Sequence, residues 1–197
     1  MKKLVRDYLI MIIGAIVIGI GVAFIVSANV GGDAMTTFEQ GLTQTFHISL
    51  PIAMIIANGI FVILLLAFAK ENISIDTVLS PLFISAGSKI GLLFMPDLVD
   101  DMVIRFVFFF IGLCIAGVGI AIGAQSETGS NPYDGFVLAL SKKINKSYSI
   151  VRPVLDAGLL VIGILLKGTF GVGTFIAIFC MGPVANFFIK MFAKIIH

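Results

Sequence analysis

The sequence predicts an all-α polytopic membrane protein: six transmembrane helices arranged as two inverted three-helix repeats, each with a short amphipathic helix after its first span. Three observations predict it. Of 197 residues, 59% are hydrophobic and only 12% charged, about half the charged fraction of a soluble domain. The mean hydropathy is +1.13. Lys and Arg fall almost wholly on one side of the apolar segments, and the two halves align on each other.

A bilayer core about 30 Å thick needs roughly 20 apolar residues to cross it as a helix. The segments that meet or approach this are Tyr8–Ala28, Leu50–Ala69, Thr77–Met95, Phe106–Ala124, Ser149–Leu166 and Phe170–Ile189. The third contains Lys89 and the fifth contains Arg152 and Asp156, so these two are the weaker spans. The connections are short, and the chain reads as one membrane domain over 1–197. The basic start (Lys2, Lys3, Arg6) and Val26-Ser27-Ala28 resemble a signal peptide. The apolar stretch between them is too long for an ordinary signal core, so the segment is expected to stay as the first span.

With a cytoplasmic N-terminus, the inner side holds Lys2, Lys3, Arg6, Lys70, Lys142, Lys143, Lys146, Arg152, Lys190 and Lys194, and the outer side only Arg105 and Lys167. The positive-inside rule then places both termini in the cytoplasm of a cell with an inner (cytoplasmic) membrane. An offset of 98 residues puts Gly19-Ile20-Gly21-Val22-Ala23 on Gly117-Val118-Gly119-Ile120-Ala121, Gly31 on Gly129, Asp33 on Asn131, and Asn58 on Asp156. The repeats are 1–97 and 98–197. Three spans per half is an odd number, so the second half enters the bilayer inverted, as in many secondary transporters.

A polar break follows the first span of each half: Asn29 to Asp33, and Ser126 to Pro132. Gly31 and Gly129 permit a sharp turn. Asp33 and Asn131 suit an N-cap, and Pro132 suits the first helical position. Each break should start a helix, one with the stripe Met35, Phe38, Leu42, Phe46 and the other with Tyr133, Phe136, Leu140, Ile144. The opposite faces are polar, which describes a helix in the interface or packed across the bundle end. Their N-termini offer N–H groups to a small anion or carboxylate, unless Asp33 and Asn131 already satisfy them.

An ionisable residue inside a membrane is a functional-site hypothesis by default. Arg152 and Asp156 stand one turn apart, which suits an ion pair, and Lys89 can snorkel outward. Asn58, the repeat partner of Asp156, is a candidate to share a polar solute or a proton with it. The alternative is interhelical hydrogen bonding alone. The candidate solute-binding set is Asn29, Gly31, Asp33, Asn58, Glu127, Gly129, Asn131, Asp134, Arg152 and Asp156. Ala15, Gly19 and Ala23, with Gly117 and Ala121, would let spans one and four approach closely. Pro81 and Pro183 interrupt spans three and six. Cys114 and Cys180 read as buried thiols. Asp33 and Asp134 are expected on opposite membrane faces, which excludes an aspartyl dyad. No nucleophile, phosphate-loop, cofactor or metal motif is present, and the net charge of +2 does not suggest nucleic acid.

Gly19–Asp33, Gly41-Leu42 and above all Ser130-Asn131-Pro132-Tyr133-Asp134 resemble the bacterial YczE/YyaS/YitT group of integral membrane proteins, over nearly the whole chain. Asp33-Ala34-Met35 departs from the pattern by lacking the proline. The resemblance implies a bacterial cytoplasmic-membrane protein and supplies neither a substrate nor catalytic residues. The expectation is a secondary transporter or permease, not an enzyme, that binds a small polar or anionic solute between its halves. The competing reading is a non-transporting membrane factor that assists or regulates another membrane or biosynthetic complex. The partners are the lipid bilayer and that solute, with no nucleic acid. The oligomeric state stays open, a homodimer included.

Overall fold

The structure, a computed structural model, describes residues 2–70, 73, 75–95, 101–126 and 131–196. The order long, short, long, long occurs twice: α1 Lys2–Ala28, α2 Ala34–Phe46, α3 Leu50–Phe68 and α4 Ile75–Leu93, then α5 Met102–Gly123, α6 Pro132–Lys143, α7 Tyr148–Leu165 and α8 Val172–Ile196. Among the described residues, four segments are long and apolar enough to cross a membrane: Val5–Ala28, Leu50–Phe68, Met102–Gly123 and Val172–Phe192. Thr77–Leu93 of α4 is a shorter apolar helix, and α7 is the helix that carries Arg152 and Asp156. The two weaker spans of the sequence are not among those four. Pro81 and Pro183 do not end their helices, which run on through both positions.

The short helices start where the polar breaks place them. Asp33 is extended and its carboxylate accepts from Thr36 N at 2.8 Å. Asn131 is likewise extended and accepts from Asp134 N at 2.8 Å. Each cap satisfies an N–H that the first helical turn leaves without a carbonyl. Gly31 adopts φ +99°, a conformation glycine reaches without strain. There the chain presses on the start of α8, where Gly173 N donates to Val30 O at 2.9 Å. Of the two positions expected for α2, in the interface or packed across the bundle, the burial of the helix fits the second. Thr36, Thr37, Glu39 and Gln40 are buried along with Phe38 and Leu42, because α7 and α3 pack over the helix.

The long helices α4, α1, α5 and α8 form a row in which α1 lies between α4 and α5, and α5 touches α8. The other four close a ring: α2 packs on α7 and α3, and α6 on α3 and α7. The core of the ring joins Ala34, Phe38 and Leu42 to Ala57, Phe61, Tyr133, Val137, Val151 and Leu159. The main junction between ring and row is α3 along α4, where Ser85 Oγ donates to Pro51 O at 2.8 Å. Among the described residues α7 makes no comparable contact with α8.

Within the row, backbones meet at glycines. A methyl group on Gly14 would lie 2.8 Å from Gly123 N, and one on Gly112 would lie 2.8 Å from Gly21 O. One on Gly119 would lie 2.8 Å from Gly14 O. Gly14 thus faces Gly119 while Gly21 faces Gly112, so α1 and α5 run antiparallel. The stripe Ala15, Gly19, Ala23 does not serve this contact as expected. It faces α4, where Gly19 meets Ile84 and Ser88 and Gly91 meets Ala23. Gly117 faces α8, at Val184. Both glycine surfaces of α1 are used, and the sequence pattern does not distinguish them.

The outside of the bundle is apolar. Ile52, Ile55, Ile56, Ile60, Ile63 and Leu66 of α3 are exposed, as are Val161, Ile162 and Leu165 of α7. Cys114 is exposed and Cys180 half-buried, not buried as expected, because the outer face of a membrane helix is itself apolar. Lys89 is exposed on α4. Gly19→Ala and Gly21→Val are expected to lower the melting temperature in detergent, since overpacking costs about 1–3 kcal/mol. Gly59→Ala, where an added methyl meets nothing within 4 Å, is expected to leave it unchanged or slightly raised. Thermal unfolding of the three purified variants checks this.

Candidate functional site

The first turn of α6 and one face of α7 form the ionic centre of the protein. Asn131 holds Asp134 twice, through the N-cap bond and through Nδ2 to Asp134 Oδ2 at 2.9 Å. A carboxylate in the first turn of a helix is also favoured by the helix dipole. On α7 the spacing Tyr148, Arg152, Asp156 places three functional groups on one stripe. Tyr148 donates its hydroxyl proton to Asp134 Oδ1 at 2.9 Å. Arg152 Nη1 donates to Asp134 Oδ1 and to the Tyr148 oxygen, and Arg152 Nε lies 3.6 Å from Asp156 Oδ2. Tyr133 donates to Asp156 Oδ1. The guanidinium also stands 5.7 Å from the ring centres of both Tyr133 and Tyr148, within cation–π range. Phe61 of α3 meets Tyr133 edge-on at 4.9 Å and braces it from the far side of the ring.

Arg152 therefore bridges two carboxylates. The pairing expected from the sequence, Arg152 with Asp156, is present but looser than the contact with Asp134. The side chains of Arg152, Asp134 and Asp156 are 40%, 29% and 30% exposed, so the cluster is partly open. Burial, then the bond to Asp156, raises the Tyr133 phenol well above its ordinary range, which keeps the hydroxyl protonated and donating.

Asp33 of the α2 cap is close enough to Asp156 for their charges to repel, as Asp134 is. Asp33 also repels Glu39, whose carboxyl is buried in α2; burial first, and Asp33 second, push its pKa well above the ordinary 4.5. Asn58 is buried on α3 and donates Nδ2 to Met54 O at 2.9 Å on its own helix. Asp156 is held by Tyr133 and Arg152, and no direct hydrogen bond between Asn58 and Asp156 is seen among the described residues. Asn29, at φ 53°, accepts from Thr169 Oγ1 at 3.1 Å, away from the ionic cluster. Glu127 and Gly129 lie outside the described residues. Tyr133 and Tyr148 belong to the cluster without standing out in the sequence, although the four-residue spacing of Tyr148, Arg152 and Asp156 puts the second of them on the same stripe as the charges.

Glycine-packed helices inside, an apolar surface outside and an ionic cluster within the bundle define a polytopic α-helical membrane protein. The chain belongs to a family of unknown function, DUF6198, which it matches over residues 5–190. It is 25% identical over 190 residues to an uncharacterized protein of Haemophilus influenzae, covering 95% of this chain and 85% of the relative. It is 20% identical over 172 residues to the uncharacterized protein YyaS of Bacillus subtilis, covering 86% of this chain and 85% of the relative. The second likeness agrees with the resemblance carried by Ser130 to Asp134. No solved structure matches.

Two outcomes are expected. Arg152→Gln leaves Asp134 and Asp156 facing each other without a cation. For a pair this exposed the loss is about 1–2 kcal/mol, below the 3–5 kcal/mol of a fully buried pair. Arg152→Lys recovers little, because an ammonium cannot bridge both carboxylates as the guanidinium fork does; thermal unfolding of the two variants checks the order. For Glu39, the folded state retains a proton that the unfolded chain releases near pH 4.5. Its effect on stability is complete below that pH and becomes unfavourable as pH rises towards the higher folded pKa. Glu39→Gln is therefore expected to flatten the fall of melting temperature with rising pH above 4.5, measured side by side with the parent protein.

Proposed function

We propose that the protein is a small secondary transporter, not an enzyme, that carries a small polar solute across a bacterial cytoplasmic membrane. The carrying observation is the Asp134–Arg152–Asp156 cluster, partly open in an otherwise apolar chain. Ion pairs at membrane depth are costly, and they mark solute or proton pathways. Two carboxylates held by one guanidinium, with Asp33 nearby, leave negative charge in excess. An anion would have to displace a carboxylate from Arg152, so a neutral solute or a proton suits the cluster better. An aspartyl dyad needs two carboxyls sharing a proton, whereas here Arg152 stands between them.

In this reading α1, α3, α4, α5, α7 and α8 cross the bilayer, both termini face the cytoplasm, and the halves are inverted repeats. The antiparallel contact of α1 and α5 supports the inversion. Under the 98-residue offset Gly14 corresponds to Gly112 and Gly21 to Gly119, so Gly14 against Gly119 is the repeat image of Gly112 against Gly21. The row and the ring keep this symmetry, but the main junction between them breaks it: α3 lies along α4, whereas among the described residues its counterpart α7 does not lie along α8. An inverted repeat caught in one state differs in this way between its halves, and the opposite state would exchange the two arrangements. The moving bodies are the ring and the row, because each short helix packs on the long helix of the other half.

Flux of a panel of neutral and charged solutes into proteoliposomes tests the proposal, with Asp156→Asn expected to reduce flux at least tenfold. A disulfide between Pro51→Cys and Ser85→Cys, in a chain carrying Cys114→Ser and Cys180→Ser, is expected to stop transport by tying α3 to α4, and reduction to restore it. No flux for any solute overturns the reading in favour of a regulatory membrane factor.

A further inference from the structure

We infer that the ends of α3 and α6 form a binding site for an anionic phospholipid of the bilayer, its phosphate held by Lys70, Lys142, Lys143 and Lys146 and its acyl chains laid along the outer face of α3. Two segments far apart in the sequence build the basic half of the site. Helix α6 ends on Lys142 and Lys143. Asn145 then turns the chain with φ 57°, and Lys146 N donates back to Ser141 O at 3.1 Å. This closing turn fixes the backbone of Lys146 against the last turn of the helix. Lys143 Nζ stands 4.8 Å from the centre of the Phe68 ring at the end of α3, within cation–π range. Lys70 lies two residues beyond that ring. All four lysines are exposed, and among the described residues none is paired with a carboxylate. Glu71 and Asp76, which follow Lys70, are outnumbered by these lysines two to one.

The apolar half argues for a lipid and against a soluble phosphate. Ile56, Ile60, Ile63 and Ala67 recur on one stripe of α3, and all are exposed. The stripe leads to the end of the helix, where Phe68 is also exposed and Lys70 follows. Leu138 and Ile144 of α6 add exposed apolar surface beside the other lysines. Because α3 is long and apolar enough to cross a membrane, its stripe meets lipid tails and its end lies where headgroups begin. Lysine stems lie along apolar surface while their ammonium groups reach a phosphate. Lysines on one membrane face also direct insertion, and Lys142 and Lys143 favour the negative end of the α6 dipole. Neither role calls for Lys143 to rest on Phe68, beside the end of α3. A basic cluster between helix ends, continuous with a lipid-facing stripe, suits a phospholipid headgroup.

The site depends neither on transport nor on the direction of insertion, so lipid binding to the full chain in detergent tests it. Native mass spectrometry would follow titration with dioleoylphosphatidylglycerol, dioleoylphosphatidylethanolamine and glycerol 3-phosphate. Phosphatidylglycerol is expected to bind at concentrations about tenfold or more below those of the zwitterionic lipid, and glycerol 3-phosphate not to bind in that range. Lys143→Gln should weaken phosphatidylglycerol binding about fivefold, the contribution of one lysine near an anionic headgroup. Lys142→Gln, Lys143→Gln and Lys146→Gln together should abolish the preference. Should that chain fail to fold, Lys70→Gln with Lys146→Gln, both beyond helix ends, should reduce it by two such steps. Lys89→Gln and Lys167→Gln, elsewhere on the surface, should leave it unchanged. Equal binding of the two lipids overturns the inference, as does a preference that survives the combined variants or falls as far in Lys89→Gln or Lys167→Gln. Glycerol 3-phosphate bound as tightly as the lipid also overturns it, in favour of a soluble phosphate.

Discussion

The contact of α1 with α5 is the constraint on which the remaining architecture depends. In lipid, apolar side chains gain little by leaving their surroundings for one another, so long helices are held by close backbone approach and dispersion. Gly14, Gly21, Gly112 and Gly119 allow that approach on one side of α1, and Gly19, Gly87 and Gly91 allow it on the other against α4. With α1 clasped on both sides, the row α4–α1–α5–α8 has little freedom in its middle. In the ring of α2, α3, α6 and α7 the glycine approach recurs only between α2 and the end of α7, at Gly41, Gly163 and Gly168, and the contacts with α3 and α6 are made by larger side chains such as Phe61 and Tyr133. Those larger contacts tolerate repacking better than a glycine seam does.

The ionic cluster follows from where the ring closes. Helix α6 is short because its N-terminus must stay inside the bundle, where Asn131 and the helix dipole hold Asp134 in place. That carboxylate would be expensive alone. Arg152, one turn above Tyr148, offsets it and reaches Asp156 as well, so one guanidinium serves two anions and two aromatic faces. No single residue of the group can change its charge without leaving another uncompensated. Such coupling makes the cluster sensitive to a proton or a bound solute, and it ties α6 to α7 while it holds.

What the sequence disclosed and what it withheld divides along local against tertiary causes. Asp33 and Asn131 were legible as caps because a cap is decided by neighbours in the chain, and the structure shows both bonds. Arg152 and Asp156 stood out because charge in an apolar segment is conspicuous. Tyr133 did not, since a tyrosine in the stripe with Phe136 and Leu140 looks like core, and Asp156 reaches it only through a fold. The burial of Glu39 and Gln40 was also hidden: their polar face on α2 looks solvated until α7 is laid across it through Gly41 and Gly163. The offset aligns Asn58 with Asp156, but alignment within a repeat fixes position on a helix and not the partner across from it, and Asn58 donates to Met54 O on its own helix.

Two polar regions differ in the acid–base character of their walls, and that difference follows from which helix ends meet. At α6 and α7 an N-terminal turn brings a carboxylate against a guanidinium, and the groups there satisfy one another. Near Gln40, the end of α1 meets the side of α2 and the connection after Leu165. The hydroxyls there are turned onto Glu39 O and Asn29 Oδ1, and the amides of Asn29, Gln40 and Gln44 leave both donors and acceptors along the wall. The first region is a closed electrostatic circuit that a visitor must break; the second is a neutral polar surface. A solute passing between them would exchange hydrogen bonds to neutral groups for competition with ion pairs, so it would be held gently at one and would alter the structure only at the other.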